Sequence, residues 1–423
     1  MKMGICLFLC ASILLVLITG CSFANLPSDN KSRDNKSIDN KSIDNSSTNT
    51  PKKIDSDFVA RNTEFAFKIF KQLNEEDKDK NIFISPISIS TALSMTYQSA
   101  EGSTREAMAK ALGYSNIDID ILNENYKTLL QRLSKIDKKI KLDMANSIWI
   151  REGEYIKEDF LSVNKEFFHA LIKELDFSKD DAADIINNWI SDATNKKITE
   201  MIEPPIAPDT LMYLINAIYF KGEWAKKFDK ENTYSADFHA ENGSTQNIMM
   251  MTLNGEIEYG RGDDFQAVRL PYGNGDTAMY CILPEAGTPI NDFIETLNIE
   301  KWNNIKSTIQ KQEDVILNMP RFKMEYGIKH LKDSLSALGM EEAFSDKANF
   351  SGIRNGVYIH EVLHKAIIEV NEEGSEAAGA TVVEMRVTSA VEPIIFSADR
   401  PFVFIIADDK TGTILFIGKA YCF

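Results

Sequence analysis

The stretch GSEAAGATVVEMRVT, residues 374–388, has the alternation of a strand in a place where the chain reads as a connection. One set of alternate residues is Ser375, Ala377, Gly379, Thr381, Val383, Met385 and Val387; the other is Glu376, Ala378, Ala380, Val382, Glu384, Arg386 and Thr388. All of its charges, Glu376, Glu384 and Arg386, fall in the second set. A period of two with the charges on one side marks one face for burial and one for water. Its flanks, the Glu372-Glu373 pair before it and a Pro-containing stretch after it, are those of a loop. The fold must therefore accommodate a loop that carries a strand's pattern.

At 423 residues, 43% hydrophobic and 10% aromatic, the chain can bury a sizeable core. A formal charge of -16 and a pI near 4.9 exclude a nucleic-acid backbone or an anionic membrane surface as the expected partner. The N-terminus reads as a separate piece. Lys2 precedes an apolar run from Ile5 to Ile18, too short to span a bilayer and suited to a secretory signal over residues 1–20. Export to the cell exterior or surface is expected. The run ends in Ile18-Thr19-Gly20-Cys21, which resembles the lipobox of prokaryotic lipoproteins. That resemblance implies a lipid on Cys21 as the only membrane attachment, the alternative being an ordinary signal peptide. Residues 21–56 include DNKSRDNKSIDNKSIDNSSTNTPKK, a repeat with almost no apolar content, and read as a tether. Asn30, Asn35, Asn40 and Asn45 each begin an Asn-x-Ser triplet. The folded domain is expected over 57–423.

Within that domain the pattern is α+β, with helices early and strands late. Apolar spacing predicts a helix over Asn62–Leu73, capped by Asn62 or Thr63, and a second from Ser85-Pro86 through Thr96. A third runs from Ser103-Thr104 to a stop at Gly113, and another covers Ile185–Thr194. From about Leu211, LMYLINAIYF, AMYCILP, VILNMPRF, AIIEVNE, FVFIIAD and ILFIGKAY read as strands. Cys281 and Cys422 are the cysteines of this region, with pairing left open. His360 and His364 lie four apart on a strand-like run, where that spacing does not converge on a metal. No phosphate loop, nucleophile elbow or dinucleotide fingerprint occurs, so neither a cofactor nor catalysis is expected.

Several long blocks, in order, resemble the serpins: NIFISPISISTALSMTYQSAEGSTREAM (81–108), INNWISDATNKKI (186–198), LINAIYFKGEWAKKF (214–228), LPYGNGDTAMYCILPE (270–285), LSALGMEEAF (335–344), HKAIIEVNEEGSEAAGAT (364–381) and DRPFVFIIADDKTGTILFIGKAY (399–421). Ser99 stands where the family usually has Gly, and Ser375 where Thr is commoner. The resemblance implies a serpin fold: a large mixed sheet, two further sheets, about eight or nine helices and a mobile reactive loop at about 373–396. It also implies a monomeric suicide inhibitor of serine proteases. The target cuts the loop, is held as an acyl-enzyme, and is disabled as the loop inserts as a new central strand.

By the same resemblance, Glu373, Gly374, Ser375, Ala377, Ala378, Gly379, Ala380 and Thr381 form the hinge; Ser85, Ser88, Asn216 and His364 a polar cluster under the opening sheet; and Trp224 the point where insertion begins. Counting from the hinge puts the cut bond at Thr388–Ser389, with Arg386–Val387 second. The first suits a subtilisin- or elastase-like protease and the second a trypsin-like one, with a cysteine protease left open. The small inward residues Ser375, Ala377, Gly379 and Thr381, free of Pro and charge, favour insertion. About a dozen new ladder hydrogen bonds at roughly 1 kcal/mol net each would rival the ~5–15 kcal/mol stability of a protease domain. A non-inhibitory serpin acting as a carrier is the alternative. A surface hydrolase on another fold is disfavoured by the missing nucleophile motif.

Overall fold

A computed structural model of the chain describes residues 53–375 and 392–423. The hinge and reactive-bond residues Ala377, Ala378, Gly379, Ala380, Thr381, Arg386, Val387, Thr388 and Ser389 lie outside the described residues, as does Cys21. The folded unit is Lys52–Phe423.

Among the described residues there are nine α-helices: α1 (Ser56–Glu76), α2 (Pro86–Tyr97), α3 (Gly102–Leu112), α4 (Ile119–Leu133), α5 (Glu158–Phe167), α6 (Ala182–Ala193), α7 (Ile290–Thr296), α8 (Ile299–Thr308) and α9 (Lys332–Leu335). The strands of the first half are β1 (Ile82–Ile84), β2 (Ile140–Arg151), β3 (Leu171–Leu175), β4 (Met212–Glu223), β5 (Tyr234–His239), β6 (Thr245–Arg261), β7 (Phe265–Tyr272) and β8 (Thr277–Pro284). Those of the second are β9 (Gln310–Pro320), β10 (Phe322–Glu325), β11 (Lys329–His330), β12 (Leu363–His364), β13 (Ile367–Val370), β14 (Gly374–Ser375), β15 (Ile394–Ser397), β16 (Phe402–Asp408) and β17 (Thr413–Ala420). The α+β architecture expected from the sequence is present.

Helix α1 puts Phe58, Phe65, Ile69, Phe70 and Leu73 into the core at helical spacing. It starts earlier than the apolar pattern suggests, because the Asp55 carboxylate accepts from the Asp57 N–H and caps it. Asn62 and Thr63 are therefore not caps. They lie inside the helix, where Asn62 Nδ2 donates to the Phe58 carbonyl and Thr63 Oγ1 to that of Val59. Helix α2 begins as expected, with Ser85 as cap and Pro86 in its first turn. Helix α3 ends at Gly113, whose φ of 77° suits glycine.

The largest sheet has nine strands, in the order β1-β17-β16-β8-β7-β6-β9-β15 with β5 on β6. Every residue of β16 and β17 is buried, which explains why FVFIIAD and ILFIGKAY are nearly continuous apolar runs. The second sheet runs β14-β4-β2-β3, and two short ribbons, β10-β13 and β11-β12, stand beside it. Strand β4 pairs with β2 along its length, but on its other edge only Gly222 and Glu223 are paired, with β14. From Met212 to Lys221 that edge has no ladder partner among the described residues. The sheet is thus split between β4 on one side and β12 and β13 on the other.

Candidate functional site: the hinge and the slot beside it

After β13 the chain reverses in a tight turn. The Asn371 N–H donates to the Gly374 carbonyl at 2.9 Å and the Gly374 N–H returns to the Asn371 carbonyl at 3.2 Å. The turn lays β14 against β4, with Gly374 opposite Glu223 and Ser375 opposite Gly222. A Cβ on Gly374 would sit 2.1 Å from the Gly222 carbonyl oxygen, so backbone approaches backbone as only glycine permits. Ser375 is 1% exposed and its hydroxyl bonds the Tyr272 hydroxyl at 2.7 Å. Burial pushes the Tyr272 phenol well above its ordinary range, which keeps it neutral.

Tyr272 in turn stacks on Trp224, ring centres 4.4 Å apart and planes within 11°. Trp224 Nε1 donates to the Asn371 carbonyl, and the Trp224 and Phe228 N–H groups donate to the carbonyls of Glu373 and Glu372. Both acidic side chains of the turn are buried. Glu373 sits between Lys227 and Lys230, each at 3.0 Å. Glu372 accepts from Thr233 Oγ1 at 2.9 Å and lies 3.6 Å from Arg321. The hydrogen bond to Glu373 raises the pKa of Lys227. The turn is thus held by backbone, aromatic and ionic contacts together.

Below the hinge lies a second polar group. Ser85 Oγ donates to the Leu415 carbonyl at 2.7 Å and accepts from the Ser88 N–H. Ser88 Oγ donates to Asn216 Oδ1, Asn216 Nδ2 to Asn146 Oδ1 at 2.6 Å, and Asn146 Nδ2 to the Phe168 carbonyl at 2.6 Å. The Ser85 N–H donates to His364 Nε2 at 3.1 Å, which fixes the ring proton on Nδ1. Burial pushes the His364 pKa down to about 4, so the imidazole is neutral. One chain of bonds therefore ties β17, α2, β4 and β2 together beside β12.

This group stands at one end of a cavity of about 390 Å³ under the split in the sheet. Its walls are α2, residues 209–216 and residues 356–364, and they present apolar side chains, including Leu93, Met212, Leu214 and Ile359. The structure brings the sequence-expected residues into two places: Glu373, Gly374, Ser375 and Trp224 at the turn, and Ser85, Ser88, Asn216 and His364 at the cavity end. Tyr272, Asn146, Lys227 and Lys230 were not picked out from the sequence. Each lies far along the chain from its partner, and no local pattern marks the contact.

A family model described as Serpin (serine protease inhibitor) matches residues 60–422. The chain belongs to the serpin family. Members of this family are not enzymes, and its inhibitors typically act on serine proteases. An uncharacterized serpin-like protein of Methanosarcina mazei is 34% identical over 373 residues, covering 86% of this serpin and 87% of its own length. Intracellular coagulation inhibitor 2 of Tachypleus tridentatus is 32% identical over 365 residues, covering 84% and 88%. Among solved structures, the thermophilic serpin tengpin in its native state superposes with a TM-score of 0.80 at 33% identity, over 88% of this chain and 96% of that one.

Proposed function

We propose that this serpin is a suicide inhibitor of serine proteases that uses the slot beside β4 to receive its own reactive loop. One observation carries the reading: the turn at Asn371–Gly374 already directs the chain along the unpaired edge of β4, and Ser375 is seated at the head of an open slot. The protease serine attacks the Thr388 carbonyl, the Thr388–Ser389 bond breaks as the Ser389 amine takes up a proton while β15–β17 stay in their sheet, and the ester on Thr388 is carried off as the strand forms. Arg386–Val387 is the second choice of bond. A subtilisin- or elastase-like target fits the first and a trypsin-like target the second, with a cysteine protease as a further class to screen.

The test is to mix the protein with one protease of each class and follow the products on denaturing gels and by intact mass. An adduct that survives boiling, with a released peptide beginning at Ser389, is expected. Clean cleavage with every protease still active sinks the reading. A carrier function is the second reading, favoured by the cavity of about 390 Å³, within the ~300–1,000 Å³ range of small-molecule sites. The protein is also proposed to act outside the cell, held by a lipid on Cys21 once residues 1–20 are removed, on the strength of the N-terminal sequence. Release of a Cys21→Ser variant into the medium tests this, and retention equal to wild type contradicts it.

A further inference from the structure

The cavity beneath the split sheet is polar at one end and hydrocarbon along the rest, and α2 supplies part of both. Ser88, Ile89, Ala92, Leu93 and Thr96 line it from one face of that helix. From Ser88 to Thr96 the helix advances about 12 Å, at ~1.5 Å per residue. Met212 and Leu214 of β4, with Phe350 and Ile359, complete the hydrocarbon part. Ser88, Asn216 and His364 form the polar end.

That end has hydrogen-bonding capacity left over. His364 is 4% exposed, its Nε2 accepts from the Ser85 N–H, and among the described residues its Nδ1 proton has no acceptor. Asn216 Oδ1 receives one bond, from Ser88 Oγ, and a carbonyl oxygen has room for a second. One donor and one acceptor are thus on offer, a pair that a hydroxyl group satisfies and a carbonyl or ether meets only in part.

Charge narrows the choice. Among the described residues the wall holds no Lys or Arg, and it includes two carboxylates, Asp209 and Glu361. Burial keeps the His364 ring neutral. An anionic head would therefore lose its hydration with no cation to meet it. An ammonium head has no lone pair to accept from His364 Nδ1–H. Size limits the body: about 390 Å³ holds roughly a dozen water-sized groups at ~30 Å³ each, and apolar cavities stay dry and take up apolar molecules.

We propose that the cavity binds a neutral, largely hydrocarbon alcohol of about a dozen non-hydrogen atoms, its hydroxyl accepting from His364 Nδ1–H and donating to Asn216 Oδ1 and its chain lying along α2. This rests on the carrier reading and gives that reading its ligand. It requires nothing of the reactive loop.

The test uses the full, uncut chain with n-decanol, sodium decanoate and benzene, followed by calorimetric titration and by NMR of the His364 ring. At pH 7.5 n-decanol should bind saturably, at least about tenfold more tightly than decanoate, and should shift the His364 signal. His364→Phe, which removes the donor, should weaken n-decanol about fivefold, the worth of one net hydrogen bond. Met212→Trp, which fills the hydrocarbon part, should abolish binding, and the shift in the wild-type ring stands whether or not either variant folds. Decanoate as tight as n-decanol, or a His364 signal that n-decanol leaves unmoved while benzene binds, overturns the alcohol site and leaves the carrier reading standing. Failure of n-decanol, decanoate and benzene alike to bind overturns both.

Discussion

At the residue scale, the proposed insertion depends on side chains small enough to let two strands accept a third. Ser375 is the clearest case, since its hydroxyl is buried and bonded to Tyr272. Ser375→Arg would place a cation against a buried phenol, at a cost of several kcal/mol. The variant should be cleaved as a substrate, the moles of inhibitor consumed per protease rising at least tenfold, whereas unchanged stoichiometry would favour the carrier reading. His364 gives a pH signature. Its folded pKa of about 4 lies below the ordinary 6.5, so the unfolded chain takes up the proton first. Its contribution is fully present above pH 6.5 and is lost as pH falls toward 4, amounting to about 3 kcal/mol. Urea midpoints measured from pH 7.5 to 4 should show this slope, reduced in a His364→Asn variant; an equal slope would place the titration elsewhere.

At the scale of elements, the turn between β13 and β14 is held by buried acids that need their cations. Replacing Lys227 and Lys230 together by Met leaves the Glu373 carboxylate, 5% exposed, without these partners. Because Lys230 is itself well exposed, the expected loss is roughly 1–3 kcal/mol. Trp224 fluorescence should report the loosened turn, and an unchanged urea midpoint would contradict the role. The element pattern was largely legible in the sequence. Helix α2 follows from Ser85-Pro86 and the apolar residues after it, and β16 and β17 from their nearly continuous apolar runs, because these signals are local. Less legible were the start of α1, set by Asp55 outside the apolar pattern, and the buried Lys419 inside β17. Its Nζ donates to Asn74 Oδ1 and to the carbonyls of Asp77 and Lys78 across the sequence. Of the site, Gly374, Ser375, Trp224 and the polar group of Ser85, Ser88, Asn216 and His364 were reached through the family resemblance, but Tyr272, Asn146, Lys227 and Lys230 were not. Their roles arise only when distant strands meet.

At the scale of the whole molecule, the sheet is split between β4 and the β12–β13 side. Strand β4 on one side and β12 and β13 on the other each present an unpaired edge among the described residues, with the hinge at the top, the polar chain midway and the cavity beneath. Exposed edges of this kind are usually covered or paired. Here the segment after the hinge has the alternation to pair both. Hydrogen exchange on the uncut and loop-cut protein tests this most directly. Amides of Met212–Lys221 and of residues 363–370 should exchange readily at their open edge before cleavage and become strongly protected after it, together with those of 376–388. Unchanged exchange along β4 and β13 after cleavage would contradict the insertion of the loop.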